Sequence, residues 1–173
     1  MKIGLCGTMS VGKTTLVNAL KKVPEFKGYT TRTERSKELM EMGIPLNTDS
    51  TLKGQTIFLA ERVTELIQEN IVTDRTILDV IAFTKCANKV NIIDSDAFEK
   101  YAKRFIFQYD YIFYISPKGI DVEDNGIRET NIDYRNKIDK TIQRLLLKHG
   151  PIYHELIGST DERIEQILKI IKS

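Results

Sequence analysis

Eight residues near the start of the chain, Gly-Thr-Met-Ser-Val-Gly-Lys-Thr at positions 7 to 14, constrain its fold more than any other feature. They match the pattern G-x-x-x-x-G-K-[ST]. The apolar residues 3 to 6 precede them and are predicted to form a buried strand. Apolar side chains then recur at helical spacing until Pro24. A strand, a glycine-containing loop and a helix in this order predict a turn that binds an anion.

This turn has the chemistry of a P-loop, which holds the triphosphate of a nucleotide. Glycines let the backbone wrap the anion, so that N–H groups and the helix N-terminus face the phosphates. Lys13, expected to be exposed on the loop, adds a positive charge near the β- and γ-phosphates and is predicted to be catalytic. The Thr14 hydroxyl is predicted to bind Mg²⁺. The residues expected to bind ATP here are Gly7, Ser10, Val11, Gly12, Lys13, Thr14 and Thr15.

Length and charge limit the remaining possibilities. A chain of 173 residues is predicted to form a single domain with a sizeable core. Its 26 basic and 24 acidic side chains leave a net charge of +2, so no strong field favours a nucleic acid or membrane partner. Cys6 and Cys86 lack the spacing of a metal site, and no apolar stretch is long enough to span a bilayer. A reducing, cytoplasmic compartment is the default expectation.

Strand and helix signals alternate along the chain, which favours an α/β fold with a parallel sheet covered by helices. Helices are predicted between the strands, and residues 47 to 50 are predicted to cap a long helix that reaches about residue 70. Another helix is predicted to start at Asp94-Ser95 and to bury Tyr101. The five predicted strands comprise residues 3–6, 26–31, 71–74, 111–115 and 152–157, of which the second has the weakest pattern.

The third predicted strand ends in Asp74-Arg75, a pair with a chemical role in enzymes that use triphosphates. Such enzymes usually place a carboxylate beside the P-loop, where it holds Mg²⁺ or accepts a proton. We therefore predict that Asp74 is catalytic and binds the metal, and that Arg75 is catalytic and holds a second anion or a developing charge. Alternatively, Asp74 is an N-cap of the helix that begins near Thr76.

With these motifs the chain resembles the small P-loop nucleoside and nucleotide kinases. Thymidylate kinases and deoxynucleoside kinases have an acid-Arg pair where this chain has Asp74-Arg75. The middle and end are most similar to ribosylnicotinamide kinases and their phage relatives, through residues 122–128, 134–135 and 158–160 together with Arg163. The resemblance implies a P-loop NTPase fold with a five-stranded sheet in the order 2-3-1-4-5, and ATP as the phosphate donor. Residues 1–173 would then be one kinase domain.

Several further site residues follow from the resemblance. Where the relatives have an acid-Arg pair after the second strand, this chain has Glu34-Arg35, with Arg32 as a competitor, and these residues would bind the acceptor. Gln55 would pair with a base edge, as a Gln from a comparable helix does in deoxynucleoside kinases; an ordinary surface Gln is the alternative. Ser159 follows the last strand, where adenine commonly rests against backbone in this fold.

A lid is predicted at about residues 117 to 137. Phosphoryl transfer requires positive charge around the γ-phosphoryl group and exclusion of water. Arg128 lies in a loop that contains Gly126, and Arg135 lies in the helix that follows. We predict that Arg128 is catalytic and that Arg135 binds the nucleotide. The alternative is that both arginines belong to an ordinary solvated surface.

The leading hypothesis is a Mg²⁺-dependent kinase that transfers the γ-phosphoryl group of ATP to a small-molecule nucleoside or nucleotide. A kinase that acts on polynucleotide ends or modified DNA bases is one alternative, disfavoured by the small net charge. A regulatory NTPase is another. A small GTPase is disfavoured because residues 88 to 91 read Asn-Lys-Val-Asn, with an amide where the guanine-reading Asp should be. A homodimer is left open.

Overall fold

The computed structural model describes residues 1–33, 35–118 and 131–173. Five parallel strands form one sheet in the order β2-β3-β1-β4-β5, which confirms the predicted order. The strands are β1 (Lys2–Cys6), β2 (Thr30–Arg32), β3 (Ile71–Asp74), β4 (Tyr111–Ile115) and β5 (Tyr153–Leu156).

Seven α-helices cover the sheet in the described part of the chain. They are α1 (Lys13–Leu20), α2 (Ser36–Glu41), α3 (Leu52–Glu65), α4 (Ile77–Cys86), α5 (Ile92–Ala102), α6 (Ile132–His149) and α7 (Thr160–Ile171). Gly150 ends α6 at φ 63°, a conformation that glycine adopts without strain. None of the helices in residues 1–33, 35–118 and 131–173 is long and apolar enough to cross a membrane.

The sheet separates two hydrophobic clusters, because successive side chains of a strand point to opposite faces. On β4, Ile112 and Tyr114 pack with residues of α3, α4, α5 and α6. Phe113 and Ile115 face the other way and pack with α1 and α7. Cys6 is fully buried in the first cluster, as expected of a small apolar residue. The two helix layers thus approach the same strand ends from opposite sides.

Several boundaries differ from the sequence-based prediction because side-chain hydrogen bonds determine where elements begin. Residues 47 to 50 do not cap α3; Asn47–Asp49 form a short 3₁₀ turn, and the Thr51 side chain accepts from the Gly54 amide at 3.1 Å. The helix then ends at Glu65 rather than near residue 70. Likewise, Asn91 caps α5 ahead of the predicted start.

Two further predictions about local structure were wrong. Phe26 was expected in the second strand, but it lies in the 3₁₀ turn Pro24–Phe26, and the strand itself covers only Thr30–Arg32. Tyr101 was expected in the core, yet it is 57% exposed on α5. Phe26 is nevertheless buried in the core, whereas the periodicity that predicted burial of Tyr101 is not used by the tertiary packing.

The strand order places the site at the carboxyl ends of β1 and β3. These strands pair in parallel with Leu5 beside Asp74, so the loops that follow them leave the sheet side by side. Ligands in open α/β sheets bind at such an edge. The P-loop after β1 and the acid at the end of β3 are therefore neighbours.

Candidate active site

The P-loop between β1 and α1 has a backbone that only particular residues allow. At Gly7 a Cβ atom would lie 2.7 Å from the carbonyl oxygen of Ile115, so a side chain there would collide with β4. Gly12 has a φ of 84° and precedes the first residue of α1. Ser10 also has a positive φ, 56°, which is uncommon for a residue other than glycine. The tight curvature of the loop thus depends on these positions.

Two buried arginines contact the outside of the loop. Arg135 from α6 donates to the carbonyl oxygens of Met9 and Ser10 at 3.2 and 3.3 Å. Arg163 from α7 donates to the carbonyl oxygen of Val11 at 3.0 Å. The C=O and N–H groups of a trans peptide point in opposite directions. The amides that follow these carbonyls are therefore turned away from the arginines, toward the side where a phosphate would bind.

Several contacts hold α6 in place so that Arg135 reaches the loop. The Thr8 hydroxyl donates to the carbonyl oxygen of Arg135 at 3.0 Å. Further along the helix, the Tyr114 hydroxyl donates to Asp139 at 2.7 Å, and Gln143 donates to both partners. Burial raises the pKa of the Asp139 carboxyl above its ordinary value. These bonds fix α6 against β4.

Lys13 lies inside the loop rather than on its surface. Its side chain is 5% exposed, contrary to the exposed lysine expected from the sequence. Nζ donates to the carbonyl oxygens of Gly7 and Thr8 at 2.8 and 2.6 Å. An ammonium group has three donors, and carbonyl partners can be exchanged for phosphate oxygens. The charge is thus already positioned in the anion cradle.

Asp74 and Thr14 lie in direct contact where the P-loop helix meets the end of β3. The Thr14 hydroxyl donates a hydrogen bond to Oδ2 of Asp74, whose carboxylate is 1% exposed. A hydroxyl and a carboxylate are the oxygen ligands that Mg²⁺ prefers. The residues present therefore fit the metal that the P-loop chemistry implies.

Asp74 is not a helix cap, so the structure removes that alternative. The N-cap of α4 is Thr76, whose side chain accepts from the Leu78 amide at 3.2 Å. Asp74 is instead held through its backbone: its carbonyl oxygen accepts from the buried Arg62 guanidinium at 3.0 Å. Arg62 also donates to Glu65 at 2.7 Å. The Asp74 carboxylate thus faces the P-loop and not the helix.

Arg75 begins the turn into α4 in a strained conformation. Its φ is 89°, a left-handed value that costs a residue with a side chain about 1–2 kcal/mol. The Arg75 amide donates to the Leu5 carbonyl at 3.0 Å, and the guanidinium lies 4.6 Å from the centre of the Phe83 ring. Strain of this kind concentrates at functional sites. The turn directs the guanidinium into the pocket beside α4.

A pocket lies next to Arg75, between α3 and α4. Gln55 is 3% exposed there, and its side chain makes no hydrogen bond to any residue in the described ranges. The Ser50 hydroxyl is buried without a partner among the same residues. Polar groups of this kind are costly unless a ligand or an ordered water satisfies them. The full lining is Ser36, Leu46, Asn47, Ser50, Gln55, Phe58, Arg75, Val80 and Phe83.

The other predicted site residues lie in different surroundings. Arg35 is exposed and pairs with Glu38 and Glu61 outside this pocket. The Ser159 hydroxyl accepts from the Glu162 amide in a capping box for α7, and Thr15 is an exposed residue of α1. Glu34 and Arg128 lie outside the described residues, as does most of the predicted lid. The nucleotide-binding and acceptor-binding roles of all these residues stay predictions.

Three residues at this site had no role in the sequence-based prediction. Asp79 is fully buried and accepts from the Gly7 amide at 3.0 Å, and Arg62 holds the end of β3. Arg163 was noted only as part of a resemblance, although burial here lowers the pKa of its guanidinium below the ordinary value. Each contacts backbone far away in sequence, which no local pattern reveals. In the sequence, the one signal that could have identified these residues was the position of a charged side chain on the apolar side of a helix.

A sequence model of the family described as AAA domain matches residues 2–163. No curated protein matches the chain in sequence. The fold is shared with a deoxyadenosine kinase from M. mycoides, solved with dCMP and a flexible dCDP bound as products. That structure has a TM-score of 0.72 at 21% identity, and the alignment covers 99% of this chain and 98% of that chain.

Two further solved structures share the fold at lower identity or over part of a longer chain. A NadR protein in complex with NR has a TM-score of 0.73 at 19% identity, covering 91% of this chain and 45% of that chain. The YorR protein from Bacillus subtilis, in complex with phosphorylated GDP, has a TM-score of 0.63 at 15% identity, covering 98% and 95%. These likenesses establish the fold.

Proposed function

The chain belongs to the AAA domain family, and from that premise we propose that it is a kinase that transfers the γ-phosphoryl group of ATP to a nucleoside. The observation that carries the proposal is the contact between Thr14 in the P-loop helix and Asp74 at the end of β3. It joins a nucleotide-binding loop to a carboxylate beside a second pocket. Phosphoryl transfer requires two substrates to meet at such a point.

The lining of the pocket favours a hydroxyl acceptor over a phosphate acceptor. Among the described lining residues, Arg75 is the one that carries a positive charge, and its guanidinium lies on the Phe83 ring. A phosphate monoester carries a charge of about −1.5 to −2 and is usually held by several cations. Arg35, the other predicted acceptor-binding arginine, pairs with two glutamates elsewhere. We therefore favour a nucleoside.

The rest of the pocket suits a base. Phe58 and Phe83 provide apolar aromatic surface, and the Gln55 amide offers a donor and an acceptor that can pair with a base edge. The solved kinase from M. mycoides holds deoxynucleotide products, and the NadR structure holds NR. These bound molecules support a nucleoside acceptor, with an NAD-precursor riboside among the candidates.

Each site residue then has a chemical task. Lys13 and the loop amides bind the triphosphate, and Asp74 accepts the proton of the acceptor hydroxyl. Arg75 stabilises charge near the acceptor. Thr14 and Asp74 would hold Mg²⁺, which when bound neutralises charge on the phosphate oxygens. The predicted contribution of Arg128 is to surround the γ-phosphoryl group and exclude water, whereas Arg135 supports the backbone of the P-loop.

A panel assay tests the function directly. Purified protein, Mg²⁺ and γ-labelled ATP are incubated with the common ribonucleosides and deoxynucleosides, their monophosphates, nicotinamide riboside and 5′-hydroxyl oligonucleotides. We expect labelled product from at least one nucleoside and much less from its monophosphate. Labelled oligonucleotide alone would favour a nucleic-acid end kinase. Free phosphate released at one rate with every compound would favour a regulatory NTPase.

Lys13→Ala is the matched inactive variant for this panel. Removing the ammonium that bonds to Gly7 and Thr8 takes a full positive charge out of the cradle. We expect phosphoryl transfer to fall by about 10²-fold or more, with a stability loss of about 1 kcal/mol for the lost hydrogen bonds. Lys21→Ala, at the exposed end of the same helix, is the control and should retain full activity. Equal activity of the two variants would refute the P-loop assignment.

A further inference from the structure

Asp79 forms hydrogen bonds to two loops, each of which would hold one substrate of the proposed reaction. It is the third residue of α4 and is fully buried. Oδ1 accepts from the Gly7 amide at 3.0 Å. Oδ2 accepts from the Thr76 amide at 2.7 Å and from the Thr76 hydroxyl at 2.8 Å. One carboxylate therefore bonds to the first residue of the P-loop and to the turn after β3.

The two loops belong to opposite halves of the site. Gly7 opens the segment that wraps the triphosphate, whereas Thr76 directly follows Arg75, which lines the acceptor pocket. Neither segment has room to move freely, since Gly7 lies too close to the Ile115 carbonyl oxygen for any side chain, and Arg75 has a strained φ of 89°. A misplacement of about 1 Å between reacting groups can reduce the rate by about 10²-fold. The distance between the two loops is therefore critical for transfer.

The geometry requires a carboxylate and not merely a polar side chain. Burying a charged group is costly unless hydrogen bonds compensate, and here three donors and the N-terminus of α4 do so. Each carboxylate oxygen accepts from a backbone N–H group. An amide in the same place would have to point its NH₂ group at one of those donors. Asparagine would therefore break one of the two connections.

We propose that Asp79 is a positioning residue that sets the P-loop and the acceptor turn at their working separation. It does not contact substrate; it acts through Gly7 on the nucleotide and through Thr76 on Arg75. The acceptor half of this inference rests on the proposed kinase function. The nucleotide half requires only that the P-loop binds ATP.

The test compares Asp79→Asn with a control of similar stability cost. Ile81→Val removes one buried methylene group from the same helix, costs about 0.5–1.5 kcal/mol, and does not alter the P-loop contact. Calorimetry measures ATP binding, and the panel assay gives kcat and KM for the best nucleoside. We expect Asp79→Asn to weaken ATP binding about tenfold and to lower kcat about 10²-fold. The Ile81→Val protein should match wild type in both.

A second variant separates positioning from folding. Thr76→Val keeps the shape of the side chain but removes the hydroxyl that donates to Oδ2 and caps α4, while the Gly7 connection remains. We expect the KM for the nucleoside to rise about tenfold, with ATP binding within about twofold of wild type. A general loss of stability is not expected to raise the KM for the nucleoside while leaving ATP binding unchanged. If Asp79→Asn does not fold, Thr76→Val alone decides.

The outcomes distinguish this inference from the proposed function. ATP affinity and kcat of Asp79→Asn equal to those of Ile81→Val would overturn the positioning role. Equal losses for both substrates in Thr76→Val would overturn it as well. If wild type binds ATP but phosphorylates no nucleoside, the kinase proposal fails. Weakened ATP binding in Asp79→Asn would even then support the P-loop half of the inference.

Discussion

At the scale of single residues, the carboxylates of Asp74 and Glu65 lie near the end of β3 in different surroundings, and they therefore differ in their chemistry. Asp74 meets the Thr14 hydroxyl with its side chain, and its backbone is fixed by the Arg62 guanidinium. Glu65, bonded to the same guanidinium on its other side, is removed from the substrates. Asp74 is the carboxylate that we propose acts on a ligand, whereas Glu65 bonds to the arginine that supports the strand. Substitutions at Asp74 and at Glu65 test the two roles separately.

Asp74→Asn should impair turnover without weakening the fold. An amide neither accepts a proton nor balances the charge of Mg²⁺, so we expect kcat to fall by about 10²-fold or more. Because Thr76 and not Asp74 caps α4, the melting temperature should change little. Asn91→Ala, which removes the N-cap of α5 outside the site, is the contrasting variant, with a cap loss of about 1 kcal/mol and full turnover expected. Steady-state kinetics and thermal unfolding measure both; full turnover in Asp74→Asn would contradict its role.

Glu65 should make stability depend on pH. Burial raises the pKa of this carboxyl from 4.5 to about 7. The folded state therefore holds a proton that the unfolded chain releases near its ordinary pKa. The stability from this group is complete below about pH 4.5 and is lost as the pH rises to about 7.

Glu65→Gln, a neutral mimic of the protonated acid, removes this dependence. Its free energy of unfolding relative to wild type should rise by about 1–3 kcal/mol between about pH 5 and pH 8. Chemical denaturation at several pH values measures the difference. Glu69→Gln, at an exposed position after α3, is the control variant. A Glu65→Gln difference that is constant across the series would contradict the raised pKa.

At the scale of secondary-structure elements, several helices hold the backbone of the P-loop in place. The loop receives side chains from α4, α6 and α7, and each of these bonds to backbone rather than to another side chain. Backbone contacts fix the path of the loop whatever the side chains along it. An element far away in sequence can therefore control nucleotide affinity. The C-terminal helix α7 gives the clearest case.

Arg163→Met should weaken nucleotide binding because it removes the donor to the Val11 carbonyl while keeping much of the buried volume. We expect the Kd for ATP to rise about tenfold, the scale of one hydrogen bond from a charged donor. The matched control is Lys169→Met, an exposed residue on the same helix, which should bind ATP normally. Calorimetric titration measures both. Unchanged affinity in Arg163→Met would show that α7 does not support the loop.

At the scale of the whole molecule, the proposed site has a nucleotide side and an acceptor side, which meet at the carboxyl ends of β1 and β3. The nucleotide side combines the P-loop with α6 and α7, and the acceptor side combines the turn after β3 with α3 and α4. The predicted lid, including Arg128, would join them on closure. A substrate on one side should therefore influence the reaction of the other.

ATP consumption should depend on the acceptor. Without a nucleoside we expect slow hydrolysis, and the right nucleoside should accelerate turnover because it stabilises the closed state. Arg128→Ala should reduce the accelerated rate far more than ATP affinity, since its charge would be used mainly in the transition state. Lys140→Ala, exposed on α6, is the control. The same turnover in the presence and absence of every nucleoside would argue against acceptor-driven closure.

Local sequence determined the elements that carry the chemistry. The glycines and Lys13-Thr14 specify the P-loop, and an apolar run that ends in Asp74 specifies the end of β3. Ser159 and Glu162 likewise have the spacing of a capping box, and the structure contains one at the start of α7. Such features depend on residues a few positions apart, so their backbone geometry and hydrogen bonds can be inferred from spacing.

Tertiary structure alone decided which distant groups support those elements. The Arg163–Val11 bond spans 152 positions and the Asp79–Gly7 bond spans 72. On the acceptor side, too, only the folded structure shows which residues meet. Folding buries Gln55 beside Arg75 but leaves Arg35 paired outside the pocket. A buried charge gains stability only from partners that the complete fold brings within hydrogen-bonding distance. No spacing within the chain records that distance, so these roles became visible only with the sheet and its helices in place.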